Sequence, residues 1–224
     1  MKKAKIGFIT SGVLFVVFVL FTILVANVDL QPIGPDSSIV GFAGLNGAVA
    51  DAVGVHMFWY HLTDVLGYLA ILVVLFFGLL GVLQLVKGKS LAKVDADIYV
   101  LGGFYVLVIL FYVIFEVVSV NYRPVILDPA QGLEASYPSS HTMLALCVFT
   151  TAIFQFQSRI KNQQVCRVIE IVMAVLIVLT VGGRLLSGVH WFTDIIGSIL
   201  LSASLIALYC AAIMTLRTQK KRRK

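Results

Sequence analysis

Polar and apolar positions alternate in long blocks along this chain. Six apolar runs stand out, at 6–27, 62–86, 98–120, 142–157, 168–186 and 192–216. Crossing the hydrocarbon core takes about 20 apolar residues in a helix, and each run reaches or approaches that length. Backbone groups in lipid must bond internally, and the period-two pattern of barrel strands is absent, so the runs predict helices. The expected fold is all-α: a polytopic membrane protein of six transmembrane helices in one domain, 1–224. The longest segment between runs is 28–61. There Ile39, Val40, Phe42, Leu45, Val49 and Val53 are interleaved with small and polar residues, which predicts a short helix lying in the membrane interface. Gly41, Gly44, Gly47 and Gly54 weaken that helix. No repeat, linker or low-complexity segment suggests a second domain.

Composition agrees with the pattern. Hydrophobic residues make up 60% of the chain and charged residues 12%, against about 25% charged in a soluble domain. Such a balance excludes a disordered chain and an ordinary soluble enzyme. Cys147, Cys166 and Cys210 are odd in number and lie within or beside apolar runs, so they predict no disulfide framework. No CxxC pair or His-rich tract suggests zinc, and no cofactor or metal is expected.

Charge placement adds orientation. With the N-terminus inside, the inner segments are 1–5, 87–97, 158–167 and the basic tail 217–224, and they hold fifteen of the 17 Lys and Arg residues. This follows the positive-inside rule, so both termini are expected in the cytoplasm. The first run, after Lys2, Lys3 and Lys5, reads as a retained anchor rather than a cleaved signal. The net charge of +6 then reflects topology and contact with anionic lipid, not nucleic-acid binding. Two basic residues fall on the outer side, Arg123 and Arg184. Orientation does not explain them, and a charge near the membrane is costly without a partner or a task.

Those arginines sit among other reactive side chains. Asn121-Tyr122-Arg123-Pro124 follows the third run, Tyr137-Pro138-Ser139-Ser140-His141-Thr142 opens the fourth, and Gly183-Arg184 to His190-Trp191-Phe192-Thr193-Asp194 joins the last two. All three stretches are expected at one membrane face. Arginine matches phosphate oxygens with a planar fork. A Pro-Ser-Ser start leaves helix N–H groups free for an anion, and Ser139 or Ser140 can cap the helix while lending a hydroxyl. His190 and Asp194, four apart, share a helical face. A carboxylate on one ring nitrogen fixes the tautomer and frees the other to attack. His141 can serve as the acid for a leaving oxygen.

The pattern Pro138-Ser139-Ser140-His141, then Arg184-x5-His190-x3-Asp194, resembles the type 2 phosphatidic acid phosphatase (PAP2) superfamily, whose membrane members are six-helix lipid phosphatases. The family motifs are Lys-x6-Arg-Pro, Pro-Ser-Gly-His and Ser-Arg-x5-His-x3-Asp, and Arg123-Pro124 matches the end of the first. The resemblance implies His190 as the nucleophile forming a phosphohistidine, Asp194 orienting it, and His141 as acid then base. Arg123, Arg184 and Ser139 would hold phosphoryl oxygens, with Ser140 beside them, and no metal would take part. Three positions depart from the motifs: Glu116 replaces the lysine, Ser140 the glycine and Gly183 the serine. Glu116 reverses a charge and is expected to pair with Arg123 or Arg184.

The implied protein is a hydrolase of the bacterial plasma membrane type. It would cleave a lipid phosphate or diphosphate at the extracytoplasmic face, with phosphatidic acid, phosphatidylglycerol phosphate and undecaprenyl diphosphate as the short list. Two alternatives stay open: a phosphotransferase of the same fold, and a non-catalytic membrane protein that binds or transports a phosphate-bearing solute. His61 and Asp64, three apart at the start of the second run, read as polar residues of the interface. Asp128 and Glu134 read as solvated loop charges, and His56 has no role.

Overall fold

A computed structural model describes residues 2–222. Seven α-helices follow in order: α1 (Lys2–Asn27), α2 (Ala43–Val53), α3 (Met57–Gly88), α4 (Ala96–Val117), α5 (Ser140–Arg159), α6 (Gln163–Leu186) and α7 (Phe192–Arg222). No strand forms among the described residues; isolated bridges join Gln31 to Val40 and Tyr122 to Ala135. Arg223 and Lys224, at the end of the basic tail, lie outside the described residues.

Each of the six apolar runs becomes one long helix. Five of them, α1, α3, α4, α6 and α7, are long and apolar enough to cross a membrane. Their outward faces carry exposed Val, Leu, Ile and Phe, as lipid-facing surfaces require. The sixth, α5, spans 20 residues but is interrupted by Thr142, Thr151 and Gln155. These polar groups are buried, and the bundle satisfies two of them: Thr151 bonds the Tyr105 hydroxyl at 3.1 Å, and Gln155 Nε2 donates to Tyr209 Oη at 2.6 Å. Helix α5 is the central helix, packed against α3, α4, α6 and α7. Its apolar signal is weak because protein rather than lipid surrounds it.

The first and last long helices lie antiparallel. Ser11 Oγ donates to the Ser204 carbonyl and Ser204 Oγ to that of Ser11, both at 2.9 Å. Gly7 permits this approach, since a Cβ there would stand 3.0 Å from the Ala211 methyl. Small residues at such a seam allow the close backbone contact that membrane helices use in place of hydrophobic collapse. Farther along α1, Phe18 packs on Phe115 and Tyr137, whose hydroxyl bonds Thr22 Oγ1 at 2.8 Å.

The bundle has two chemically different ends. At one, Arg159 from α5 meets Asp97 at 3.1 Å and Asp95 at 3.8 Å, before and within the first turn of α4. The Lys-rich turn from α3 to α4 and the start of α1 belong to this end. At the other end gather the start of α3, the 118–139 segment, the end of α6 and the start of α7. The predicted interface helix is α2, and it has a structural task there. Asn46 is fully buried, donates to Thr193 Oγ1 at 2.9 Å and accepts from Thr193 N at 3.2 Å, so α2 is pinned to the first turn of α7. The turn before α2 runs tight against α1, and a Cβ at Gly41 would fall 1.6 Å from the Val25 carbonyl oxygen.

Candidate active site

The turn between α6 and α7 is built by small residues and by Asp194. Gly188 takes φ of 68°, a left-handed conformation that glycine adopts without strain, and its Cα faces the Gly54 carbonyl too closely for any side chain. Asp194 stands three residues after Trp191, and its Oδ2 accepts from the Trp191 backbone N–H at 3.0 Å. A carboxylate reaching back over the first turn satisfies one of the free N–H groups there. The indole of Trp191 donates to the Tyr122 carbonyl at 2.6 Å, which fixes the 118–139 segment to this turn. The serine pair is tied in as well. Ser139 N donates to the Asp194 carbonyl at 3.2 Å, and Ser198 Oγ donates to the Ser139 carbonyl at 2.8 Å.

His190 emerges between these anchors with its side chain almost wholly buried. Nδ1 lies 3.4 Å from Asp194 Oδ2, within ion-pair reach though not aligned as a hydrogen bond. Nε2 lies 3.2 Å from Arg123 Nη1. A guanidinium has only N–H donors, so Nε2 must be the accepting nitrogen and the ring proton belongs on Nδ1, facing the carboxylate. Burial, and next the Arg123 guanidinium, hold the imidazole well below its usual value of 6.5. It is therefore neutral, with a lone pair on Nε2.

Arg123 is held by Glu134, with Nε 2.9 Å from Oε2, and by the Val189 carbonyl at 3.4 Å from Nη1. Glu134 is thus an ion-pair partner rather than a solvated loop charge. The expected partnership of Glu116 with an arginine is not found. Glu116 is exposed at the end of α4 and makes no ion pair among the described residues, while Arg123 and Arg184 take Glu134 and Asp64 instead. Those carboxylates reach the arginines from the 118–139 segment and from α3.

Arg184 is fully buried near the end of α6. Its Nη2 donates to Asp64 Oδ1, and the guanidinium lies 5.1 Å from the centre of the Tyr60 ring, a cation–π contact. Nε and Nη1 have no hydrogen-bond partner. His141, in the first turn of α5, places Nε2 3.2 Å from the same Asp64 oxygen. Asp64 is the residue that sequence reasoning missed. It was grouped with His61 by proximity in the chain, but His61 turns to the Tyr60 ring, 5.3 Å between centroids, while Asp64 faces inward. The available signal was a carboxylate at the start of an apolar run, which is rare without a function.

A cavity of roughly 200 Å³ opens between α4, the 118–139 segment and α5, and Arg123, Ser140, His141, His190 and Glu116 reach its wall. Asp194, Arg184 and Ser139 stand fully buried and do not reach that wall. Ser139 occupies the cap position of α5 but makes no capping bond, contrary to expectation, and its hydroxyl has no partner. Ser140, where the family motif has glycine, is the first helical residue, so it needs no unusual backbone angles. A second, more apolar cavity of roughly 510 Å³ lies between α3, α4 and α5, and it shares Tyr112, Ser140, His141 and Met143 with the first.

All seven residues predicted from the sequence thus meet at one end of the bundle. Comparison with known proteins bears on the family and the fold. No curated protein matches the chain significantly. A solved structure with a similar fold is the transmembrane PAP2-type phosphatidylglycerolphosphate phosphatase from Bacillus subtilis, at a TM-score of 0.59 and 18% identity, covering 93% of this chain and 96% of that one. The family model of the PAP2 superfamily matches residues 69–218, a stretch that contains Arg123, His141, Arg184, His190 and Asp194. The chain belongs to the PAP2 superfamily.

Proposed function

We propose that this protein is a membrane lipid phosphatase that works through a phosphohistidine on His190. The carrying observation is the Nε2 lone pair of His190, turned to the Arg123 guanidinium in a cavity that also holds His141. Phosphorus would sit before Nε2, and Arg123 beside it would bind the charged oxygens. Arg184 Nε and Nη1 and the Ser139 hydroxyl are buried donors without a hydrogen-bond partner behind the cavity wall, and they would reach phosphoryl oxygens only if bound substrate draws them forward. As the P–N bond forms, the bond to the lipid oxygen breaks and His141 protonates that oxygen. Water, deprotonated by His141, then displaces His190 and releases phosphate. Asp194 keeps the ring proton on Nδ1 throughout. The arginines and backbone dipoles supply the electrostatic stabilisation, so no metal is required by this scheme.

The lipid assignment rests on the second cavity. Its apolar walls on α3 and α4 join the catalytic cavity at His141, so a chain can lie there while its head group faces His190. In this reading α5 is the sixth membrane crossing, shielded from lipid by its neighbours. The Lys- and Arg-rich end faces the cytoplasm and the site faces outward. Phosphatidic acid, phosphatidylglycerol phosphate and isoprenoid diphosphates all meet these requirements.

Phosphate release by the purified protein in detergent tests the proposal, over a panel of those lipids and with EDTA present. Turnover should persist in EDTA, and His190→Ala should fall by at least about a thousandfold, as loss of a nucleophile does. Undiminished turnover in His190→Ala would refute the nucleophile. Loss of activity in EDTA would refute the metal-free scheme. Phosphate carried to a second lipid instead of released would identify a phosphotransferase. Transport of a phosphate-bearing solute without cleavage would identify a carrier.

A further inference from the structure

We propose that Asp64 is a positioning residue for the acid–base histidine, so that the site works with two carboxylate–imidazole pairs rather than one. The inference rests on the phosphatase reading above and extends it. Asp194 serves His190 from the Nδ1 side. Asp64 serves His141 from the other nitrogen, its Oδ1 3.2 Å from Nε2. The ring is held in that orientation by α3 itself. Gly67, almost one turn beyond Asp64, lies so close that a Cβ there would stand 2.8 Å from His141 Cδ2. Nδ1 of His141 is buried and left without a partner, and in this proposal it is the nitrogen that exchanges a proton with bound substrate.

The surrounding charges show why His141 needs this carboxylate. To act as an acid it must carry an imidazolium charge when substrate binds. Arg184 from α6 and Arg123 from the segment after α4 both oppose that charge. Asp64 from α3 is the carboxylate in contact with the ring, and Glu134 is committed to Arg123. Asp64 also accepts from Arg184 Nη2, so one oxygen fixes both the acid and a phosphate-binding guanidinium in register. In the first half-reaction the P–O bond breaks, its electron pair stays on the leaving oxygen, and that oxygen takes the Nδ1 proton of His141. In the second, water returns a proton to Nδ1 as its oxygen bonds phosphorus, and the P–N electron pair goes back to His190 Nε2. Asp64 stays ionised through both steps.

Leaving-group dependence tests this role, because a group that merely braces the fold would slow all substrates alike. Two monoesters with the same alkyl chain are compared in detergent: an alkyl phosphate, whose alkoxide needs a proton to depart, and a 4-alkyl-2-nitrophenyl phosphate, whose phenolate does not. Asp64→Asn keeps an oxygen for Arg184 and removes the charge. It should lose about a hundredfold in kcat/KM, which reports the leaving-group step alone, on the alkyl ester and less than about tenfold on the nitrophenyl ester, the span that general acid catalysis supplies. His141→Ala should show the same selectivity, and adding Asp64→Asn to it should cost little more. Asp64→Glu, which restores the charge, should recover part of the alkyl rate. Equal losses on both esters in Asp64→Asn and Asp64→Glu would overturn the proposal, as would a rise in KM with kcat unchanged, which would reduce Asp64 to a bracket for Arg184. If His190→Ala turns over like the wild type, the phosphatase scheme falls and this inference with it. If His190→Ala is dead while Asp64→Asn is unselective, only this inference falls.

Discussion

The proton of the His190 ring has one place to go. Arg123 can only donate at Nε2, and the Asp194 carboxyl faces Nδ1 at 3.4 Å. With burial and two guanidiniums against it, the ring takes up a second proton only well below its ordinary value of 6.5. The sign is then fixed. Near pH 6.5 the folded imidazole stays neutral, whereas an unfolded one would begin to charge. Acid therefore favours the unfolded chain as pH falls below 6.5. Nitrogen NMR of labelled histidine, assigned with His190→Gln, should show a neutral Nδ1–H tautomer that does not titrate around pH 6.5. A midpoint at or above 6.5 would contradict it. At this scale the motif residues were legible because His190, Asp194 and Arg123 announce their chemistry by type and spacing. Asp64 was not, because its partners His141 and Arg184 lie far along the chain, and only packing brings them together. The free hydroxyl of Ser139 was hidden for a related reason: sequence suggests a cap, but whether the cap bond forms depends on geometry.

Helix by helix, the runs of apolar residues gave reliable positions, since α3, α4, α6 and α7 each contain the stretch that hydropathy marks, apart from three residues beyond the end of α4. Less legible was the reason for Gly183, which stands where the family has serine. A Cβ at Gly183 would sit 2.6 Å from Thr63 Cγ2 and 3.2 Å from Trp59 Cε3, so α6 touches α3 more closely than a serine allows. That contact is what brings Arg184 onto Asp64. Gly183→Ser should therefore destabilise the protein by about 1–3 kcal/mol, the usual range for overpacking, and lower turnover as the pair separates. Adding Thr63→Ser removes the clashing methyl yet keeps the hydroxyl that bonds the Trp59 carbonyl at 2.8 Å, so it should restore much of both. Thermal unfolding in detergent and phosphate release measure the two effects. No rescue by the second substitution would count against the packing explanation. The weak apolar signal of α5 has the opposite lesson, because a helix wrapped by others can keep Thr151 and Gln155 where a lipid-facing one could not.

For the whole molecule, charge asymmetry is the organising property. Arg159 with Asp95 and Asp97 marks one end, and Arg123, Arg184 and their carboxylates mark the other. The proposed orientation predicts that a cysteine placed at Gln131, in the 118–139 segment, reacts with an impermeant maleimide in intact cells, while one at Lys89 reacts only after lysis. The native Cys147, Cys166 and Cys210 would first be replaced by serine or alanine. The reverse pattern would invert the topology and put the site in the cytoplasm.

The seam between α1 and α7, closed by Ser11 and Ser204, sets the timetable of biosynthesis. Helix α1 is made well before α7, so it must wait in the bilayer, its small-residue face unmatched, until α7 arrives. His190 and Asp194 come with α7, in the turn before it and in its first turn. A nascent chain arrested before His190 would therefore be inserted and largely helical yet lack two residues of the proposed site.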